Sequence, residues 1–339
     1  MRWLVSGVMM ATICGAGSGN YSSPARADEP VDRTGQPANG KPSPKVDAER
    51  AFGYLTKICD IGPRISGSQG MERQQKLIVE HFGKLKAQVR FQSFDAPHPQ
   101  SRTPVRMNNM IVSWDRDAKE RVLIACHYDT RPRADRDANP QLALRGGFLG
   151  ANDGASGVAL LMEMGNHLRQ IKPTYGVDFV FFDGEELVYD NATDPYFLGS
   201  EYFAKDYRDH PPTYKYVYGV VVDMIGDKDL QLYLERNSLQ YAPELTRSIW
   251  KTAKQVGVRE FINREKHDVR DDHLALNEIA GIPACDIIDF NYDHWHTMKD
   301  VPAACSGASL AKVARVLLAW LEEVPAPAPA NKQERKRSR

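Results

Sequence analysis

Apolar and polar positions alternate in this chain with two different periods. Val46–Ile58 and Met71–Leu85 repeat their apolar residues every three or four positions, which predicts amphipathic helices. Val89–Phe94 alternates with period two, and Met110–Trp114 and Arg121–Cys126 are short apolar runs, so all three are read as strands. Val177–Phe182 and Val217–Val222 are β-branched and aromatic runs, and Ala284–Ile288 is a further apolar strand. Ser156–Leu168, Ala242–Val256 and Leu310–Glu323 complete the helices. Continuous apolar strands alternating with amphipathic helices predict an α/β fold, with an open, mostly parallel central sheet covered by helices on both faces. Ligand sites in such sheets lie beyond the C-terminal ends of the strands.

The two ends of the chain depart from this pattern. Arg2 precedes the apolar, small-residue stretch Leu4–Gly17, and Ala25-Arg26-Ala27 offers small residues just before Asp28. Residues 1–27 therefore read as a cleaved signal peptide, and the protein is expected to be exported, to the periplasm or the outside. The stretch is short for a bilayer span, no later stretch reaches spanning length, and no stable membrane span is expected after cleavage. Residues 28–45, rich in Pro, Gly, Asn and charge, read as a disordered linker. Residues 46–324 form the expected globular domain, and 325–339 a Pro/Ala-rich, basic tail of the kind that is usually solvated.

Composition narrows the function classes. The chain has 339 residues, 42% hydrophobic and 26% charged, which is enough apolar material for a large core. Lys+Arg and Asp+Glu both number 44, so nothing favours nucleic acid or a membrane surface as partner. Of five cysteines, Cys59, Cys126, Cys285 and Cys305 would remain after cleavage. Export permits disulfides among them, buried free thiols are the plainer alternative, and their spacing fits no metal knuckle.

Candidate chemistry gathers at strand ends. His127, Asp153, the pair Glu185-Glu186, Asp223 and His296 each end a predicted strand or lie in the loop that follows one. Singly, such residues are most often caps or turn formers. Together on one sheet edge they make a set of imidazole and carboxylate donors suited to zinc. Adjacent buried carboxylates repel, and a cation offsets that cost for one of them. The other, Glu185 or Glu186, could then keep a raised pKa and act as general base.

The motifs His127-Tyr-Asp129, Asn152-Asp153-Gly154-Ala155-Ser156-Gly157, Gly184-Glu185-Glu186, Asp223-Met-Ile-Gly226, Asp272-His273 and Trp295-His296-Thr297 resemble the zinc aminopeptidase and glutaminyl cyclase superfamily from about Ala51 to Leu321. The resemblance implies a zinc-exopeptidase-like (phosphorylase/hydrolase-like) fold with zinc at the C-terminal sheet edge. It also implies peptide or protein N-termini as substrate. In dinuclear aminopeptidases the ligands would map onto His127, Asp153, Glu186, Asp223 and His296, with Asp153 bridging two zincs and Glu185 as base. In glutaminyl cyclases one zinc would be held by Asp153, Glu186 and His296, with Glu185, Asp223 and Asp271 as the acid–base residues.

Asp271 before Asp272-His273, Trp295 before His296, and the Leu198-Gly199-Ser200 segment resemble the cyclase branch. Asp271 could equally be a helix N-cap, and Trp295 ordinary packing. Asn191 stands where cyclases usually carry a second pocket tryptophan, and Asn291 where they often have an aromatic residue. Val158 replaces the cysteine that pairs with the counterpart of Cys126 in animal cyclases. Tyr189 and Tyr292 are the expected replacement aromatic walls. The cyclase reading is preferred, with a dinuclear aminopeptidase as alternative. A non-catalytic peptide-binding descendant would predict a damaged ligand set, and every position here carries a competent residue.

Overall fold

The computed structural model describes residues 45–115, 117–139, 141–142 and 147–327. The expected signal peptide, nearly all of the linker and most of the tail lie outside the described residues.

Helices α1 (Ala48–Cys59) and α2 (Gln69–Lys84) begin at the side-chain caps Asp47 and Ser68. They lead into the hairpin β1 (Gln88–Pro97) and β2 (Pro104–Ser113). The remaining main-sheet strands are β3 (Glu120–His127), β4 (Gly176–Phe182), β5 (Lys215–Asp223) and β8 (Ala284–Ile288). The order is β1-β2-β4-β3-β5-β8. β4, β3, β5 and β8 are mutually parallel, and β2 and β1 extend the β4 side antiparallel. A small separate sheet pairs β6 (Leu232–Leu234) with β7 (Phe261–Glu265).

The period of two along each parallel strand sorts side chains onto two cores. Val122, Ile124 and Cys126 of β3 join Phe179 and Phe181 of β4 and Val220 and Val222 of β5 on one face. That face is covered by α1, α2, α3 (Ala155–Gly165), α6 (Pro243–Gln255) and α8 (Gly307–Leu321). Leu123, Ala125, Val180 and Val221 point the other way, against Phe203 of α4 (Leu198–Asp209) and Leu276 of α7 (Asp272–Glu278). The expected two-faced architecture is therefore present. Every residue of α3 is buried, including Glu163. That carboxylate is satisfied by Arg50 Nε at 2.7 Å and His167 Nε2 at 2.9 Å, which ties α1 to α3.

The differences from the expected pattern have local causes. β2 extends six residues before Met110, where the more exposed Arg106 and Asn108 alternate with buried Met107 and Asn109 on a half-polar edge. α4 is short of apolar periodicity, because its buried face is Gly199, Ser200, Phe203 and Ala204. β6, β7 and α5 (Arg236–Tyr241) are too short to carry a period. Cys59, Cys126, Cys285 and Cys305 are all buried free thiols. Among the described residues no helix is long and apolar enough to cross a membrane.

Glu235 fastens this smaller sheet to the site. Its carboxylate accepts from the backbone N–H of Asn237 (2.9 Å), Ser238 (2.6 Å) and Val269 (3.0 Å), two residues before Asp271. Burial raises its pKa, but His273 and these backbone donors outweigh it and hold Glu235 at about 2. A depressed carboxylate stabilises the fold above its unfolded pKa and loses that contribution as pH falls through the folded value. Unfolding free energy is therefore expected to fall between about pH 4.5 and about pH 2, with Glu235 accounting for on the order of 3 kcal/mol. Urea melts of wild type and Glu235→Gln across that window check this. The variant should be less stable at neutral pH and show a flatter acid limb.

Candidate metal centre and substrate cavity

The strand ends converge as the parallel sheet requires. His127 is the last residue of β3 and Asp223 the last of β5. Asp153 lies in the turn that starts α3, where the backbone N–H groups of Asn152 and Asp153 donate to the buried Asp300 carboxylate at 2.8 and 3.1 Å. The next residue, Gly154, has φ +91°, and a Cβ there would lie 2.8 Å from Asp129 O, so the turn demands glycine. Glu185 and Glu186 follow β4, with their backbone N–H groups on the Asp129 carboxylate at 3.2 and 3.0 Å. Asp129 thus aims both glutamates without joining the ligand cluster. His296 follows β8 with φ +56°, and Met224 beside Asp223 has φ +47°. Non-glycine residues held in this region carry strain that surrounding structure must impose, and they gather at functional sites.

Two groups of potential ligand atoms result. Asp153, Glu186 and His296 form one and His127, Asp153 and Asp223 the other, in each case with the atoms within 4.8 Å of one another. Asp153 belongs to both. His296 Nε2 lies 3.3 Å from Glu186 Oε1, and His127 Nε2 lies 3.2 Å from both Asp153 Oδ1 and Asp223 Oδ1. Asp153 Oδ2 and Glu186 Oε2 are buried without a hydrogen-bond donor. Buried anionic oxygens with no donor are costly, and a cation between them removes the cost. The residues present therefore fit zinc, the first group with carboxylate, carboxylate and imidazole donors and an open fourth position. On the far side of His296, Asp135 lies 3.0 Å from Nδ1 and fixes the ring so that Nε2 faces the cluster.

The two adjacent glutamates are pushed in opposite directions. Burial first, then the neighbouring Glu186 charge, raise the Glu185 carboxyl well above its ordinary range. Burial also acts on Glu186, but His296 and the buried Arg131 guanidinium offset it and hold Glu186 at about 2. Arg131 Nη1 donates to Glu186 Oε1 at 2.8 Å, while Nε lies 2.8 Å from Asp135 and Nη2 bonds Asn191. Burial lowers the His127 pKa, but Asp129, Asp153 and Asp223 outweigh it and raise it well above the ordinary value.

Asp271 caps α7, accepting from Asp272 N at 2.5 Å, and is buried. Its second oxygen has no partner. Burial, then the facing Asp223 charge, raise it to about 6. Cap and cavity-facing acid are thus the same residue.

A cavity of about 570 Å³ opens onto this cluster, lined by Asp153, Glu185, Glu186, Asp223, Asp271 and His296. Its aromatic walls are Tyr196, Phe197, Phe290 and Trp295, and Trp295 packs on Phe290 at 4.8 Å. The expectation for Tyr189 and Tyr292 is corrected: neither lines it. Tyr189 turns to His98, whose Nε2 lies 3.3 Å from its hydroxyl, and Tyr292 spends its hydroxyl on Asp300 at 2.8 Å. Asn191 does line the cavity, but as a polar group whose side-chain oxygen holds Arg131 rather than as an aromatic wall. Sequence reasoning missed Asp129, Arg131, Asp135 and Asp300 as supporting residues. Asp129 closes the His127-Tyr-Asp129 motif, whereas the others carry no periodic or motif signal.

Comparison with known proteins agrees with this geometry. The profile of Peptidase family M28 matches residues 109–321. A solved glutaminyl cyclase from Fimbriiglobus ruber shares 41% identity at a TM-score of 0.80, covering 85% of this chain and 99% of that one. A leucine aminopeptidase precursor from Bacteroides thetaiotaomicron shares 29% identity at a TM-score of 0.78, covering 84% of this chain and 99% of that one. The glutaminyl-peptide cyclotransferase of Gloydius blomhoffii is 25% identical over 262 residues, 66% of this chain and 68% of that protein. With the family profile spanning most of the folded region and the candidate ligand groups at its sheet edge, the chain belongs to Peptidase family M28, a family of zinc-dependent enzymes.

Proposed function

We propose that this protein is a zinc-dependent glutaminyl-peptide cyclotransferase, which converts the N-terminal glutamine of peptides to pyroglutamate and releases ammonia. The observation that carries the proposal is the buried Asp271 carboxyl on the cavity wall, facing Asp223 with one oxygen unpartnered. Water-mediated hydrolysis of a peptide bond has no evident use for a second protonatable acid there. Cyclisation has one, because the departing amide must be held. The identity to a solved cyclase, 41%, supports the same reading.

Asp153, Glu186 and His296 would hold the metal. Bound zinc supplies Lewis acidity that polarises the side-chain amide carbonyl of the substrate. Glu185 accepts a proton from the substrate α-amine as its nitrogen attacks that carbonyl carbon and the new C–N bond forms. Glu185 then returns the proton to the amide nitrogen, whose C–N bond breaks to release ammonia. Asp271 and Asp223 share one proton and accept hydrogen bonds from the N–H groups of the amide, which holds the leaving nitrogen in place. Trp295 and Phe290 wall the glutamine chain and limit water near the attacking nitrogen. Export to the periplasm or outside, through cleavage of residues 1–27, is part of this proposal, as such an enzyme would meet peptide N-termini there.

The dinuclear aminopeptidase remains the second reading, favoured by the group His127, Asp153 and Asp223. His127→Ala separates the two. In a single-zinc cyclase it is expected to leave metal stoichiometry unchanged, whereas in a dinuclear peptidase it would halve it. Metal content by inductively coupled plasma spectrometry, after loading with excess zinc and desalting, reads the difference.

A further inference from the structure

The floor of the cavity gathers carboxyl groups, with Arg131 paired to Glu186 among them, whereas the rim carries unpaired guanidinium groups. Asp153, Glu185, Glu186, Asp223 and Asp271 are gathered at the floor. Arg136 and Arg270 lie at the solvent-exposed side of the same lining. The acidic residues that share this rim are already committed. Asp268 pairs with Arg236 at 2.7 Å, and Asp135 with Arg131 at 2.8 Å and His296 at 3.0 Å. Arg136 and Arg270 have no carboxylate partner and no side-chain hydrogen bond among the described residues. The Arg136 guanidinium lies over the Trp295 ring at 4.4 Å. Cation–π stacking on the pocket tryptophan holds the planar fork in place while its N–H donors stay free.

We infer that Arg136 and Arg270 select substrates carrying a carboxylate one residue beyond the N-terminal glutamine. The inference rests on the cyclotransferase reading for the identity of the first residue. The α-amine enters toward the acidic floor, which leaves the second residue at the rim. A carboxylate there comes from an Asp or Glu side chain at position two, or from the free C-terminus of a dipeptide. Both present the planar, two-oxygen acceptor that a guanidinium fork matches. The rim guanidiniums hold the acid end outward while the α-amine meets Glu185 at the floor, which orients the peptide before the chemistry begins. A lysine at position two meets like charge on the same rim.

The test measures peptide affinity by calorimetry on the zinc-loaded Glu185→Gln protein, so that turnover does not intervene. The probes are Gln-Glu-Ala-amide, Gln-Gln-Ala-amide and Gln-Lys-Ala-amide, with the dipeptide Gln-Ala as free acid and as amide. The Glu peptide is expected to bind about tenfold more tightly than the Lys peptide at low salt, and the free acid several-fold more tightly than the amide. Both differences should shrink below about twofold when Arg136→Met and Arg270→Met are added, and should fade in high salt. Arg133→Met, outside the cavity lining and stacked 5.3 Å from Tyr189, is the control that leaves them unchanged. A response in the tripeptides alone assigns the contact to the side chain, and one in the dipeptides alone to the C-terminus. Equal affinities throughout, or a gradient that survives both substitutions, would overturn the inference. The cyclotransferase reading fails separately, if wild-type enzyme releases no ammonia from any of these peptides.

Discussion

Glu185→Gln is expected to lower the rate of cyclisation by about a hundredfold to ten-thousandfold, the usual share of a positioned general base, while zinc content and melting temperature stay near wild type. The expectation rests on the unequal environments of two adjacent glutamates. Glu185 is largely enclosed, has only His127 Nδ1 at 3.9 Å as a cationic neighbour, and has its carboxyl pushed well above the ordinary range by burial and by Glu186. Glu186 is held near 2 by His296 and Arg131 and offers a bare oxygen to the metal. The Glu185 backbone N–H is fixed by Asp129, so glutamine can occupy the same place without moving the turn. Glu186→Ala is expected to behave in the opposite way and lose zinc, because a three-residue site has no spare donor. Ammonia release, zinc content and thermal melts on both variants check the assignment. Zinc lost from the Glu185 variant and kept by the Glu186 variant would mean the two roles are exchanged.

The second large effect is expected at Asp271. As a helix cap alone, its replacement by alanine would cost about 1 kcal/mol of stability and little activity. As a group that holds the reacting amide in a water-poor cavity, its loss should lower the rate on the order of a hundredfold or more. The geometry supports both roles, since one oxygen accepts from Asp272 N and the other is buried without a partner beside Asp223. Asp271→Asn divides them. Asparagine can still cap, but it cannot share a proton with Asp223, so stability should recover while turnover stays low. Urea melts and ammonia release on the alanine and asparagine variants read the two quantities independently. Full activity in the asparagine variant would reduce Asp271 to a cap.

The strand ends were legible in the sequence because burial on both faces writes continuous apolar runs. Val177–Phe182 and Ala284–Ile288 were placed nearly to the residue. The candidate ligand residues converge for the same reason, since a parallel sheet delivers the residues after such runs to one edge. What lay beyond reach depended on side chains meeting across long separations. Nothing in the sequence near Arg131 indicates that it would pair with Glu186, or that Asn191 would be spent on holding it. Tyr292 escapes sequence reasoning for a similar reason. It lies three residues from Trp295, but the turn after β8 sends its hydroxyl to the buried Asp300. Phe290, one position from the expected aromatic site at Asn291, packs on Trp295 instead. α4 escaped notice because a helix that packs through Gly199, Ser200 and Ala204 presents little apolar periodicity.

The central claim is the reaction itself. The most direct measurement is incubation of zinc-loaded wild-type protein with a Gln-initial peptide and a Leu-initial peptide of otherwise equal sequence. Ammonia is assayed in solution and the products are read by mass spectrometry. The account predicts stoichiometric ammonia and a pyroglutamyl product from the first peptide, with the second left intact. Release of free leucine from the second, with no ammonia from the first, would contradict it and make the protein an aminopeptidase.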